Sequence, residues 1–485
     1  MAEIRSILDH YPDYEATIGI EVHVQLSTKS KIFCSCPNQV AQEPNKNICP
    51  ICAGYPGVLP VLNKQVVEFA IRAGLSTNST IAHVSEFARK HYFYPDLPKN
   101  FQTTQNDRPI CQEGYVTIHT LEGTEKKIRL IRIHMEEDAG KNIHGSSGES
   151  FVDLNRTGTP LLEIVSHPDI SNAHEAKEYL KALRLIVQYV DICSGNMEEG
   201  AFRADTNVSV RKKGAARLGT RCELKNINSF KFIGDAIEYE LERQINLLED
   251  GKSVRQETRL WDTKEKKTIL MRSKEEAADY RYFPEPDLPF IEIDQDWIER
   301  VRTGMPELPY HKMNRLMKEK GLSAYEADII VSDLKLADYY EQAAQHTSNK
   351  ILVNWILRDL MGLLNDQKIT LAECRIKPEQ LAQLVLLIEK GTINNNSAKE
   401  IFEHMAATGK DPHILVKELG LEQIGSSQEL EALVRKIVDA HPSQTADYKA
   451  GQQKLFGFFV GLVMKESKGK GNPQIIQELL KKYLG

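Results

Sequence analysis

The chain has 485 residues, 62 Lys and Arg against 68 Asp and Glu for a net charge of −6, and 41% hydrophobic residues. That composition is ordinary for a folded chain and excludes wholesale disorder, and the charge is too mild for a protein that coats a polyanion. At roughly 150 residues per domain the length fits about three domains.

The longest nearly unbroken apolar run, FGFFVGLVM at 456–464, is far short of the about 20 residues of a membrane helix. The N-terminal MAEIRSILDHYPDYEA is mixed in charge and lacks an apolar secretory stretch. A cytoplasmic chain without a membrane partner is the expectation.

The first clear element is ATIGIEVHVQL at 16–26. Ile18, Ile20, Val22, Val24 and Leu26 fall on one face, and Gly19, Glu21, His23 and Gln25 on the other, the period of a strand. An acid and an imidazole two residues apart therefore point the same way. A solvated polar face gives the same pattern, so the strand alone does not choose between site and surface.

Cys34, Cys36, Cys49 and Cys52 follow as C-x-C-x12-C-x2-C, half of the chain's eight cysteines. Paired cysteines across short loops supply the four soft ligands of a tetrahedral zinc, and with all four positions filled by protein the ion would brace rather than catalyse. Cys111, Cys193, Cys222 and Cys374 are scattered and read as small apolar residues.

RKHYFYPDLPK at 89–99 mixes cations with aromatics, which suits phosphate binding or a packed loop with a wet rim. The strand-like IRLIRI at 128–133 runs into His134-Met-Glu136-Glu137-Asp138, and Glu163 interrupts the apolar PLLEIV at 160–165. A carboxylate inside such a strand is costly unless it is paired or holds a cation. Glu21, His23, Glu137 and Glu163 are thus candidate hard ligands for Mg²⁺. Parity puts Glu136 with His134 and Arg132, and Glu137 with Met135 and Ile133, without choosing between the acids.

Asn172-Ala-His-Glu175 reads as a helix N-cap, with an apolar stripe at Leu180, Leu183, Val187 and Val190; a second stripe runs from Ile233 to Leu248. The segment 203–231 carries eight cations against Asp205 and Glu223, and 449–485 seven lysines against Glu466 and Glu478, reversals that suit a phosphate backbone and equally a solvated helix face. Proline-rich breaks at 283–290 and 305–309, GKDP at 409–412 and GSSQ at 425–428 punctuate the chain, and from Trp297 the periodicity turns helical. The expectation is an α+β domain with a mostly antiparallel sheet over 1–295, a helical domain over 296–407 and a tail domain over 408–485. No Walker A or G-x-G-x-x-G motif is present, so ATP-binding residues are not named.

IGIEVHVQL, YPGVLPVLN, RKHYFYPDLPKNFQ, HMEEDAGK, VDLNRTGTPLLEIVSHPD, ELKNINSF, ADYRYFPEPDLP and the tail GFFVGLVMKESKGKGNPQ, in that order from about residue 14 to the end, resemble the B subunits of the aspartyl/glutamyl-tRNA amidotransferases. The resemblance implies a cradle similar to the glutamine synthetase and guanido kinase fold, followed by all-α helical and tail domains. It implies a ligase that phosphorylates the side-chain carboxylate of Glu-tRNA(Gln) or Asp-tRNA(Asn) with ATP and Mg²⁺. Ammonia from glutamine, released by an amidase subunit, then displaces the phosphate; a small stabilising subunit completes the complex, and the non-discriminating aminoacyl-tRNA synthetase is a further candidate partner. Carried over by motif, Glu21, His23, Glu137 and Glu163 are the Mg²⁺ and activation site, Lys90 lines the ammonia route, and Glu137 also guides or deprotonates the incoming ammonium. Lys465, Lys468 and Lys470 lie near tRNA, and the four cysteines hold a structural Zn²⁺ that not every member of the family keeps. The competing reading is a zinc-containing RNA-binding module without chemistry, which has no need of acids inside apolar strands.

Overall fold

The computed structural model describes residues 6–39, 41, 43–145, 148–225, 227–273, 279–347, 350–422, 427–467, 471 and 473–485. The chain divides into two compact units, Met1–His311 and Lys312–Gly485.

The first unit is built on β1 (Tyr14–Gln25), β2 (Ala88–His91), β3 (Phe101–Thr104), β4 (Glu125–Glu137), β5 (Pro160–Ser166), β6 (Phe202–Lys212), β7 (Cys222–Lys225), β8 (Glu257–Asp262), β9 (Lys267–Ser273) and β10 (Phe283–Pro284). A 10-stranded sheet runs in the order β9, β8, β7, β6, β1, β5, β4 and then two short strands at Cys111–Gln112 and Thr80–Ile81, with Tyr115–His119 also paired to β4. Its pairs are antiparallel except β7 with β8. β1 shows why: its residues alternate strictly between buried and half-buried, and Ile18, Ile20, Val22 and Val24 lose all but a trace of their exposure. These residues share one core with the stripes of helix α1 (Lys64–Ser76), helix α2 (Ala173–Tyr189) and helix α3 (Phe230–Glu249). One sheet face is thus closed by apolar packing, and the polar set of β1 is left on the other.

Asn172 caps α2 by accepting from the Glu175 amide at 2.9 Å, while the Glu175 carboxylate turns back to the amide of Ser171 at 2.8 Å. The helix α4 (Gln295–Thr303) stays with this unit, burying Ile298 in the same core.

Glu240 of α3 is fully buried and takes two hydrogen bonds from Arg243 (2.9 and 2.7 Å), one from Gln244 (2.8 Å) and one from Thr268 of β9 (3.1 Å), with Arg259 of β8 3.5 Å away. Burial, the largest single influence, works to raise its pKa, but the bonds and charge of Arg243 together with Gln244 and Arg259 outweigh it and hold the carboxyl below its usual range. Replacing it by alanine leaves the Arg243 guanidinium, Gln244 and Thr268 without their shared acceptor, so Glu240→Ala should cost about 3 kcal/mol of stability. A shift in the urea midpoint worth under about 1 kcal/mol would contradict this.

The second unit is helical, through Ala324–Val331, Leu334–Ala343, Pro378–Glu389, Asn395–Thr408 and Pro412–Glu418. Ser427–Ala440, Leu455–Glu466 and Pro473–Leu484 then close around a core of their own, in which Phe459 and Val463 of the apolar run meet Leu430, Val434, Ile476 and Leu480. Among the described residues no helix is long and apolar enough to cross a membrane.

Candidate active site and metal centres

Strand register assembles the polar face. His23 of β1 stands opposite Glu163 of β5 on one side and Arg203 of β6 on the other, and Glu163 stands opposite His134 of β4. Four strands far apart in the chain thereby place Arg203, His23, Glu163 and His134 in one row across the sheet. Glu136, two residues beyond His134, closes the group: His23 Nε2 is 3.4 Å from Glu136 and 3.6 Å from Glu163, and His134 Nε2 is 3.2 Å from Glu163. One ligand atom from each of His23, Glu136 and Glu163 lies within 4.8 Å of the others, a set able to hold a metal ion.

Two carboxylates this close cannot both ionise freely. Burial and then the charge of Glu163 push Glu136 up to about 8, whereas Glu163, although burial opposes it, is held ionised by His134, His23 and Lys90. Burial lowers the pKa of His23 against the pull of Glu163 and Asp205. A divalent cation would replace the shared proton and release this repulsion, so the donor set fits one. Nδ1 of His134 is buried and, among the described residues, has no hydrogen-bond partner.

Glu21 stands on the same face but one step along. It is opposite Asp205, accepts from Asn207 Nδ2 at 3.1 Å, and is raised by burial, then by Glu163, Asp205 and Glu223. Lys225 bridges Asp205 at 2.6 Å and Glu223 at 3.2 Å. Glu21 thus feels both Glu163 of the first cluster and the acid pair Asp205 and Glu223, whose positive partner is Lys225.

Glu137 points the other way. Its carboxylate accepts from Lys99 and from the Thr103 amide at 2.9 Å, and its carbonyl accepts from Gln102 at 2.9 Å. It lines a pocket of about 200 Å³ with Lys99, Arg89, Phe33, Cys34 and Cys52. Of the four residues carried over as one Mg²⁺ site, His23 and Glu163 lie together with Glu136, Glu21 is on the same face and is raised by the charge of Glu163, and Glu137 lines the Lys99 pocket. Lys90 lies 4.8 Å from the ring of Tyr280 and 5.8 Å from that of Tyr92, and feels the charge of Glu136 and Glu163. Glu136, His134, Asp205, Glu223 and Lys225 are the residues that sequence reasoning does not assign.

The four cysteines converge as their spacing implies. Cys52 Sγ is 4.0 Å from Cys36 Sγ and 3.8 Å from Cys49 Sγ, and all four sulfurs lie within 4.8 Å of one another as free thiols. A tetrahedron with Zn–S bonds of about 2.3 Å has S···S edges of about 3.8 Å, so the set fits zinc. The hydrogen bond from Cys34, and after it the Cys49 amide and the Lys31 ammonium, hold the Cys52 thiol down to about 4 against its burial. Lys31 is itself buried, 3.7 Å from that sulfur. At the end of the knuckle Gly54 has φ +70°, and a Cβ there would sit 3.0 Å from Lys99, so the loop and the Glu137 pocket share a wall.

In the tail, Lys465 is exposed on the Leu455–Glu466 helix, while Lys468 and Lys470 lie outside the described residues. In the basic segment 203–231, Arg203 meets Asp138 at 3.2 Å, Arg211 meets Glu15 at 2.6 Å and Lys225 serves the acid group, so part of that cationic excess is matched internally.

Fold and site together define an α+β protein with an acid–imidazole candidate metal centre on its polar sheet face and a separate four-thiol knuckle. Residues 16–299 match the GatB/GatE catalytic domain, and residues 338–484 the GatB domain. The chain is 51% identical over 472 residues to the B subunit of the aspartyl/glutamyl-tRNA(Asn/Gln) amidotransferase of Thermodesulfovibrio yellowstonii, covering 97% of this chain and 99% of that one. The proteins of the same name from Geotalea daltonii (52% identity; 97% and 99%) and Persephonella marina (48%; 97% and 100%) are similar over the same extent. The chain belongs to the GatB/GatE family.

Proposed function

We propose that the chain acts as the B subunit of a tRNA-dependent amidotransferase, converting Glu-tRNA(Gln) or Asp-tRNA(Asn) to Gln-tRNA(Gln) or Asn-tRNA(Asn) with an amidase subunit and a small stabilising subunit. What carries this reading is likeness at about half identity over nearly the full length of relatives that bear that name. The catalytic alternative to a bare RNA-binding module is supported by the buried acids of β4 and β5, which a scaffold has no reason to keep. A sheet covered by helices on one face and lined with acids on the other supports the likeness to the glutamine synthetase and guanido kinase cradle.

The reaction follows from the weakness of a carboxylate as an electrophile. Its oxygen attacks the terminal phosphorus of ATP, ADP leaves, and the resulting acyl phosphate gives ammonia a good leaving group. Mg²⁺, when bound, would neutralise charge on the transferred phosphoryl group. His23, Glu136 and Glu163 would hold it, with Glu21, on the same face of β1 as His23, adding negative charge. Lys90, beside Glu136 and Glu163, would counter the negative charge of the reacting groups. Glu137 would take the proton that ammonium gives up on its way to the acyl carbon, from the pocket it shares with Lys99. The division of labour is a cradle to about 295, a helical domain over 296–407 and a tail over 408–485, with Lys465, Lys468 and Lys470 facing tRNA.

The test is amidation of both misacylated tRNAs by the assembled complex with ATP, Mg²⁺ and glutamine, with this chain omitted in the control. Product that requires both this chain and ATP is expected. No product, with tRNA bound and the amidase active, would favour the adaptor reading.

A further inference from the structure

Beside the acid cluster, aromatic rings gather from two segments nearly 190 residues apart. β10 pairs with β2, setting Phe283 opposite Arg89, and the His91 amide donates to the Tyr280 carbonyl at 2.9 Å. Tyr92 then meets Tyr94 and Tyr280 edge-on, with centroids 5.9 and 6.2 Å apart, and Tyr280 meets Tyr282 at 6.0 Å. Lys90 lies against the rings of Tyr280 and Tyr92 and is the link to Glu136 and Glu163. Between Tyr92 and Tyr94 in the chain, Phe93 is 81% exposed and, among the described residues, touches no other ring, and Tyr94 is 55% exposed. A phenyl ring left in water at the edge of an active site has a face to offer.

Tyrosine rings interleaved with a cation form the surface on which nucleobases stack. Position decides which base. In an aminoacyl-tRNA the reacting carboxylate is tied to the terminal ribose by one amino acid, so the terminal base must rest close to the acid cluster. The base of ATP is separated from the transferred phosphorus by a ribose and two further phosphates. We infer that Tyr92, Phe93 and Tyr94, backed by Tyr280 and Tyr282, form a stacking platform for the 3′-terminal nucleobase of the misacylated tRNA. The inference rests on the proposed function and names the part of the substrate that this patch grips.

The experiment uses the assembled complex, whose wild-type amidation is measured first. A wild type that amidates neither tRNA sinks the function itself, before any variant is made. Given an active wild type, Phe93→Ala should raise the KM for the aminoacyl-tRNA about 5- to 150-fold, the range of one lost stacking contact, with the KM for ATP and the kcat nearly unchanged. Phe93→Trp should restore the KM. A second arm measures binding of uncharged tRNA with and without its 3′-terminal adenosine. The wild type should lose affinity when that nucleotide is removed, and Phe93→Ala should not distinguish the two RNAs. Additive losses would overturn the inference, as would a raised KM for ATP in place of tRNA. Poorer recovery of the amidase subunit with Phe93→Ala would make the ladder a protein contact and overturn it equally.

Discussion

Glu163→Gln in the assembled complex should reduce ATP-dependent amidation by about 100- to 1,000-fold, the loss expected when one preorganised charge is removed from a reacting centre. Glu163 is the middle of the row, 3.2 Å from His134 and 3.6 Å from His23, and it is the acid of the Glu136–Glu163 pair that stays ionised. An amide preserves shape and one acceptor oxygen. It removes the charge that would draw a divalent cation, and it can turn an N–H₂ group toward either imidazole. A neutral amide is also cheaper to bury than a carboxylate, so folding should survive and the loss should appear in turnover. Glutamine hydrolysis by the amidase partner and affinity for uncharged tRNA should persist. Amidation within about threefold of wild type would remove Glu163 from the chemistry.

How far this site can be read from the sequence depends on the range of the signal. The strand at 16–26 and the side on which Glu21 and His23 fall follow from period-2 alternation, a purely local property, and β1 has that pattern along its length. The cysteine knuckle is equally local, because its four ligands lie within nineteen residues. The choice between Glu136 and Glu137 had a local answer as well. Parity places Glu136 with His134, and the structure uses that face for the cluster, while Glu137 turns toward Lys99. The acid pair beside Glu21 is different in kind. Asp205 and Glu223 sit in a segment dominated by cations and look like its minor counter-ions. Only the pairing of β6 with β1 and β7 shows that Lys225 serves them and that Glu21 joins them. Pairings between strands almost two hundred residues apart are set by the whole sheet, and no window of sequence holds them. The aromatic ladder is legible in halves for the same reason: each half is visible in its own motif, and their meeting is a property of the fold.

Freshly purified protein should contain about one zinc per chain, and Cys52→Ser should lose it. The four sulfurs already lie at nearly the spacing of a zinc tetrahedron, and Cys52 is poised as a thiolate by Cys34, the Cys49 amide and Lys31. Cys36, by contrast, is pushed up to about 11, mainly by burial and then by its hydrogen bond to Cys49. Zinc binding must expel that thiol's proton, so the sign is clear: acidification returns protons to sulfur and releases the metal. In a minimal zinc finger, loss of the ion unfolds everything. Here the first unit has a large apolar core that does not run through the knuckle sulfurs, so the damage should stay local. The segment 34–58 should become at least about tenfold more sensitive to protease while the main unfolding transition moves little, since local opening and global stability are separate quantities. Because Gly54 of this loop rests on Lys99, the Glu137 pocket should loosen with it, and amidation should fall more than tRNA affinity does. A protein purified without zinc, or a Cys52→Ser variant that retains it, would show that these thiols hold the loop together on their own.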